Sequence, residues 1–331
     1  MPHSVAVFGA AGFTGALSAR LVFRHPQFEL QTVTARSDVG RRLDELYPHH
    51  RVPVTLEELD LDRHADGLDA AIVAYPHGAA AELVSELRAR DVRVVDLSAD
   101  FRLHDAAVYG EWYREHPAPE MLSQAVYGLP ERYRDQIRHA DLVANPGCYP
   151  TATLLALAPL ARAGLIRDVV VDAKSGVSGA GRAATEKTHF VSVDENISPY
   201  GLPRHRHTPE IEQELAALGA EVMITFVPHL LPLDQGELVS CYVTLTRADD
   251  DLDALYGAAY GEEPFVEVVS TAPGVRDVRE TNLCRIRVHR DERTGRAVVF
   301  AVIDNLWKGA ASQAGQNLNL MFGRPEEEGL T

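Results

Sequence analysis

The chain has 331 residues, 46% hydrophobic and 24% charged, with a formal net charge of -16. Such a length and composition support about two packed domains and exclude a disordered chain. The acidic balance argues against nucleic acid or an anionic membrane surface as a partner. Cys148, Cys241 and Cys284 are odd in number and show neither C-x-x-C nor metal-ligand spacing. No disulfide framework and no metal site are expected, and the compartment reads as reducing. From Met1 onward nothing has the form of a signal peptide or of an apolar membrane span, so the expected location is the cytoplasm.

Val5 to Phe8 is an apolar run that ends in Gly9-Ala-Ala-Gly12-Phe13-Thr14-Gly15, and Leu17, Leu21 and Val22 follow at helical spacing. Strand, glycine turn and helix open a dinucleotide-binding unit, in which the glycines let the backbone approach a pyrophosphate at the helix N-terminus. The spacing G-x-x-G-x-x-G departs from the common G-x-G-x-x-G, so its place after a first strand carries the reading. Leu30 to Ala35 reads as the second strand. Arg36 and Ser37 stand where an NAD enzyme has an acidic residue, which favours the 2′-phosphate of NADP(H), with Asp38 as a competing ribose ligand.

Leu68 to Ala74 and Val92 to Leu97 read as strands, separated by a helix from Ala79 to Arg90. Their carboxyl ends carry His77 and Arg102, and ligands of open α/β sheets bind at such ends. Arg102 there suits an anion, or else a surface ion pair. Asp105 to Tyr133 lacks periodicity and reads as loop with short helices. Asp141 to Ala144 is the last strand of a parallel, doubly wound first domain.

Asn145-Pro-Gly-Cys148-Tyr-Pro150-Thr151 then opens a helix expected from Pro150 to about Ala163, with Pro159 expected to kink or end it early. Cys148 lies beside free N–H groups and the positive end of that helix, which lowers a thiol pKa. A small buried turn cysteine is the alternative. Val169 to Ala173 is a strand leading into Lys174-Ser175-Gly176-Val-Ser178-Gly-Ala-Gly181-Arg182, either an anion-binding nest or a polar loop. In Arg204-His205-Arg206-His207-Thr-Pro-Glu210 a zinc site lacks a third ligand, and His207, at the mouth of a helix, reads as a base for Cys148. Thr225 to Val227, Glu237 to Leu245, Arg285 to Val288 and Val298 to Ile303 read as strands of a second sheet, with Cys241 and Cys284 as core residues. Asp304-Asn305-Leu-Trp-Lys-Gly309 leads into an amphipathic helix ending at Phe322. The tail Arg324 to Thr331 is expected to fray.

Six segments carry a resemblance: Gly9 to Gly15, Asp96-Leu-Ser-Ala-Asp-Phe-Arg102, Asn145 to Thr151, Lys174 to Gly181, His205 to Glu210 and Asp304 to Gly309. In this order and over nearly the whole chain they resemble the N-acetyl-gamma-glutamyl-phosphate reductases of arginine biosynthesis, within the semialdehyde dehydrogenase group. The resemblance implies an α/β protein: an NADP-binding Rossmann domain over 1–147, completed by the C-terminal segment 305–331, and an α/β catalytic and dimerisation domain with a mainly antiparallel sheet over 148–304. It implies Cys148 as nucleophile and His207 as base, with His205 the competing candidate. It places Gly9, Gly12, Phe13, Thr14, Gly15, Arg36, Ser37, Ser175, Gly176 and Asn305 at NADP(H), and Arg102, Ser178, His205 and Arg206 at the substrate or its phosphate. A small acyl phosphate and a second copy of the chain, as dimer or tetramer, are the expected partners. Competing readings are a sister reductase of aspartyl or carrier-bound acyl phosphates and a non-catalytic NADP(H)-binding regulator.

Overall fold

A computed structural model describes residues 2–247 and 251–330. The chain divides into two compact units, Met1–Gly147 with Ala310–Thr331, and Cys148–Gly309.

The first unit holds β1 (His3–Phe8), β2 (Phe28–Thr34), β3 (Ala70–Val73), β4 (Arg93–Asp96), β5 (Val126–Tyr127) and β6 (Leu142–Ala144). They form one sheet in the order β2-β1-β3-β4-β6-β5, with every pairing parallel. A parallel sheet buries both faces, so its strands alternate between two cores and not between core and water. Val5 and Val7 join Val33, Ile72, Val95 and Val143 on one face; Ala6 and Phe8 join Ala71, Val73, Val94 and Leu142 on the other. Helix Phe13–Arg24 covers the first face and helix Ala81–Arg88 contributes to the second. The chain leaves β1 for β2 on one side and returns for β3 on the other, which opens the crevice where such sheets bind ligands. The irregular stretch after Asp105 contains helix Ala106–Trp112, a 3-10 turn at Pro119–Gln124, β5 and the start of helix Pro130–Arg138.

The C-terminal segment corrects two expectations. Helix Ser312–Met321 is not amphipathic in the ordinary sense, because its polar side is buried as well. Asn317 donates to the carbonyl of Gly128 at 2.9 Å, and Gln316 to Glu326 at 2.9 Å. The tail is not frayed either. Glu326 pairs with Arg134, the carbonyl of Glu328 meets Nε2 of His25 at 2.8 Å, and Leu330 is buried. Side-chain amides that satisfy backbone carbonyls let a polar segment be buried. Thr331 lies outside the described residues.

The second unit holds β7 (Ile166–Gly176), β8 (Ser198–Pro199), β9 (Thr225–Leu231), β10 (Glu237–Leu245), β11 (Val266–Val268), β12 (Cys284–Asp291) and β13 (Arg296–Ile303), in the order β11-β12-β13-β10-β7-β9-β8. The sheet is mixed: β11–β12 and β7–β9 are parallel, and the other four neighbouring pairs are antiparallel. Alternation places Val169, Val171, Ala173, Val239, Cys241, Val243, Val299 and Ala301 in the core, and Cys284 is buried too.

Helix Cys148–Arg162 begins at Cys148 itself and runs through Pro159. A proline at 159 leaves the carbonyl of Leu155 without its helical N–H. The hydroxyl of Tyr260 donates to that carbonyl, and the hydroxyl of Tyr256 to the next one, Ala156. Both tyrosines stand on helix Leu252–Tyr260, so a neighbouring helix repairs the fault and the early end does not occur. Among the described residues no helix is long and apolar enough to cross a membrane.

Candidate active site

In the first unit, a glycine turn joins the end of β1 to helix Phe13–Arg24. Gly9 has φ +94°, and a Cβ there would lie 2.5 Å from the carbonyl oxygen of Ala74. A Cβ on Gly15 would lie 2.3 Å from the carbonyl oxygen of Gly9. Both positions therefore exclude any side chain, and turn and helix pack backbone to backbone. Gly12, Phe13 and Thr14 stay partly open at the start of the helix. Nothing comes closer to a Cβ at Gly12 than 3.9 Å, so the helix N-terminus is open to an anion. The side chains present thus fit a dinucleotide.

At the end of β2, Arg36 and Ser37 are exposed, and the Arg36 guanidinium lies 4.5 Å over the ring of Tyr75. A guanidinium spread on an aromatic face keeps its edge free for a phosphate. Asp38 turns instead to Arg41, at 3.2 Å.

The loops after β3 and β4 are tied by one buried carboxylate. Asp100 accepts from the N–H groups of Gly78, Ala80 and Ala81 at 2.5, 3.0 and 3.1 Å, and from the Tyr109 hydroxyl at 2.9 Å. Nδ1 of His77 accepts from the N–H of Ala99 at 3.0 Å, so it serves the same loops. Asp96, buried beside Asp100, has its carboxyl pushed up to about 7, first by burial and then by the charge of Asp100. Arg102 is buried as well. It donates to the carbonyls of Asn145 and Leu97, both at 2.8 Å.

In the second unit, Cys148 is half-buried at the first position of its helix. A Cβ on Gly309 would lie 2.8 Å from the Cys148 Cβ, so only glycine fits opposite the thiol. Tyr149, the next residue, is the floor of an aromatic cluster. Its ring centroid is 5.9 Å from those of both His205 and His207, and 5.4 Å from that of Phe226. The two imidazoles lie 4.9 Å apart, and the Tyr200 hydroxyl donates to the Tyr149 hydroxyl at 3.2 Å. His207 immediately precedes helix Thr208–Ala216, while burial drives the His205 imidazole down to about 4 and keeps it neutral. Arg206 is exposed.

Ser175, Gly176, Ser178 and Asn305 come together in the same unit. Asn305 accepts from the N–H of Gly236 at 2.8 Å and donates to the Ser178 hydroxyl at 3.0 Å, which in turn donates to the carbonyl of Asp234 at 2.6 Å. Ser175 is buried, and a Cβ on Gly176 would strike the carbonyl oxygen of Asp234 at 2.5 Å. Asn305 thus pins the loop that precedes β10.

Residues 4–140 match the semialdehyde dehydrogenase NAD binding domain, and residues 148–305 the semialdehyde dehydrogenase dimerisation domain. N-acetyl-gamma-glutamyl-phosphate reductases from Desulforudis audaxviator and Halorhodospira halophila are 48% and 49% identical to this chain, each over 98% of it and 97% of the relative. The chain belongs to the N-acetyl-gamma-glutamyl-phosphate reductase family. Among solved structures, aspartate semialdehyde dehydrogenase II of Vibrio cholerae aligns with a TM-score of 0.75 at 18% identity, over 98% of this chain and 99% of that one. The enzyme of Candida albicans, solved with NADP, aligns at 0.72 and 14%, over 97% and 99%. These two establish the shared α/β fold of the family, an NAD-binding domain followed by a dimerisation domain with a mixed sheet.

Sequence reasoning missed Asp100, Gly309 and Glu237. Glu237 had a signal: it stands in period-two register with Val239, Cys241 and Val243, which marks a carboxylate on the buried face of β10. Asp100 lay within the Asp96 to Arg102 segment, but its role did not show, because its partners are three backbone N–H groups of a different loop and the Tyr109 hydroxyl.

Proposed function

We propose that this member of the family reduces N-acetyl-L-glutamyl 5-phosphate to N-acetyl-L-glutamate 5-semialdehyde and phosphate, with NADPH as reductant and a thioester on Cys148. The observation that carries the reading is the near full-length identity to reductases of that name. It also disfavours the aspartyl, carrier-bound and regulator alternatives.

Gly9, Gly12, Phe13, Thr14, Gly15, Arg36 and Ser37 would hold the dinucleotide, and NADPH, when bound, supplies the hydride. Ser175, Gly176 and Asn305 are assigned to the same ligand. The Cys148 thiolate attacks the acyl carbon; a C–S bond forms and the C–O bond to phosphate breaks. Reduction of the thioester carbonyl gives a tetrahedral oxyanion, and backbone N–H groups at the start of the Cys148 helix are assigned to stabilise it. Collapse breaks the C–S bond and returns the thiolate. His207 is the base for the thiol and passes protons, and the neutral His205 is a hydrogen-bonding neighbour. Ser178, His205 and Arg206 are assigned to the substrate and its phosphate. For Arg102 the support is its place at the end of β4, and its two carbonyl bonds add a second task of holding the Asn145 turn in shape. Assembly of two or four copies through the second unit, in the cytoplasm, completes the reading.

The test is the reverse reaction with N-acetylglutamate semialdehyde and NADP+. NADPH should accumulate only when inorganic phosphate is present. Turnover of aspartate semialdehyde in its place would move the chain to a sister reaction. Replacing Arg36 by alanine should raise the Kd for NADPH by about tenfold to a hundredfold and leave that for NADH nearly unchanged. Equal weakening of both, by fluorescence titration, would remove the 2′-phosphate role.

A further inference from the structure

Glu237 opens β10 in the middle of its sheet, paired to Ser175 of β7 on one side and Ile303 of β13 on the other. The preceding residue, Gly236, is held by Asn305, so the backbone that aims this side chain is fixed. The carboxyl is 0% exposed. Neither oxygen accepts a hydrogen bond from an N–H or O–H among the described residues. The Cys148 thiol lies within interacting range of it. The other titratable groups that face it are Tyr149 from the same helix as Cys148, Tyr200 beyond β8 and Asp304 beyond β13, and none of these is a cation. A fully buried carboxylate with no N–H donor among the described residues is costly, so the group sits there as the neutral acid. A neutral acid has a proton to offer, and the Cys148 sulfur beside it becomes an anion during the reaction.

We infer that Glu237 is a further catalytic residue, whose protonated carboxyl donates a hydrogen bond to the Cys148 thiolate before attack and again as the thiolate leaves the collapsing intermediate. No proton changes owner at Glu237 in this scheme; the hydrogen bond strengthens when sulfur carries charge and weakens in the thioester. The inference rests on the thioester reading above. Burial pushes the carboxyl up to about 8, with the Cys148 thiol opposing the rise and Asp304 adding to it. Below that pH the acid supports the thiolate. Above it a carboxylate would face the thiolate and repel it, so kcat should fall on an alkaline limb.

Glu237→Leu and Glu237→Gln separate this role from packing. Glu237→Leu should lower kcat by about tenfold to a hundredfold and move the midpoint of Cys148 alkylation by iodoacetamide upward by about one pH unit. Glu237→Gln keeps an N–H donor and cannot ionise. It should recover most of the lost kcat and lack the alkaline limb near pH 8. A wild-type kcat and alkylation profile in Glu237→Leu would overturn the inference, as would an alkaline limb retained in Glu237→Gln. Should the leucine variant not fold, the limb in the near-isosteric glutamine variant decides. Alkylation needs no substrate, so a failure of the acyl-phosphate reading shows in the wild-type assay and not in this one.

Discussion

Exchanging Cys148 for serine is expected to lower turnover by on the order of 10⁴-fold or more, with NADPH affinity and thermal midpoint near those of the wild type. A serine hydroxyl stays protonated where a thiol ionises, and an oxygen ester accepts hydride less readily than a thioester. The half-buried first position of the helix accepts an oxygen without strain, so the loss is chemical and not structural. The measurements are a single-turnover trace, a cofactor titration and a melting curve on one preparation. Residual turnover within about tenfold of wild type would remove the nucleophile role.

Asp100→Ala is expected to produce the largest stability loss, about 3–5 kcal/mol by chemical denaturation. Four donors converge on this fully buried carboxylate, and alanine would leave all four without an acceptor. Asp100→Asn keeps the shape and one acceptor oxygen and should cost less. Asp96 supplies a second readout. Its folded pKa of about 7 exceeds the ordinary 3.8, so its contribution to stability is fully present below about pH 4 and lost as pH rises through about 7. Removing the neighbouring charge lowers that folded pKa, so the variant should show a shallower pH dependence in this window. A loss under about 1 kcal/mol would mean that the loops close without the carboxylate.

What the chain disclosed in one dimension follows the range of the interactions. β1, the glycine turn and the helix behind it are local, and Gly9, Gly15 and Arg36 could be placed by spacing alone. The period-two pattern of Val239, Cys241 and Val243 likewise gave the buried face of β10. Tertiary repair was not legible. Pro159 carries a local rule against a continuing helix, and the hydroxyl that overrides it comes from Tyr260, 105 residues from the Leu155 carbonyl that it satisfies. The tail reads as polar and loose, yet Arg134 and His25 hold it. Arg102 could be located at a strand end, whereas its burial depends on carbonyls that are not written in side chains. The second sheet's parallel pairs, β7–β9 and β11–β12, also escape a reading by alternation, which is the same for both directions.

The split course of the first unit has a consequence for how the protein is made. Ala314, Leu318, Leu320 and Met321 complete the core that Val5, Val7 and Val33 begin, and the whole of Cys148–Gly309 is translated before they appear. On the ribosome the nucleotide-binding half therefore waits, partly unroofed, while the contiguous second half emerges and can close first. The part written first is finished last, and any nascent chain stalled after Gly309 would carry an exposed apolar face for chaperones and proteases to find.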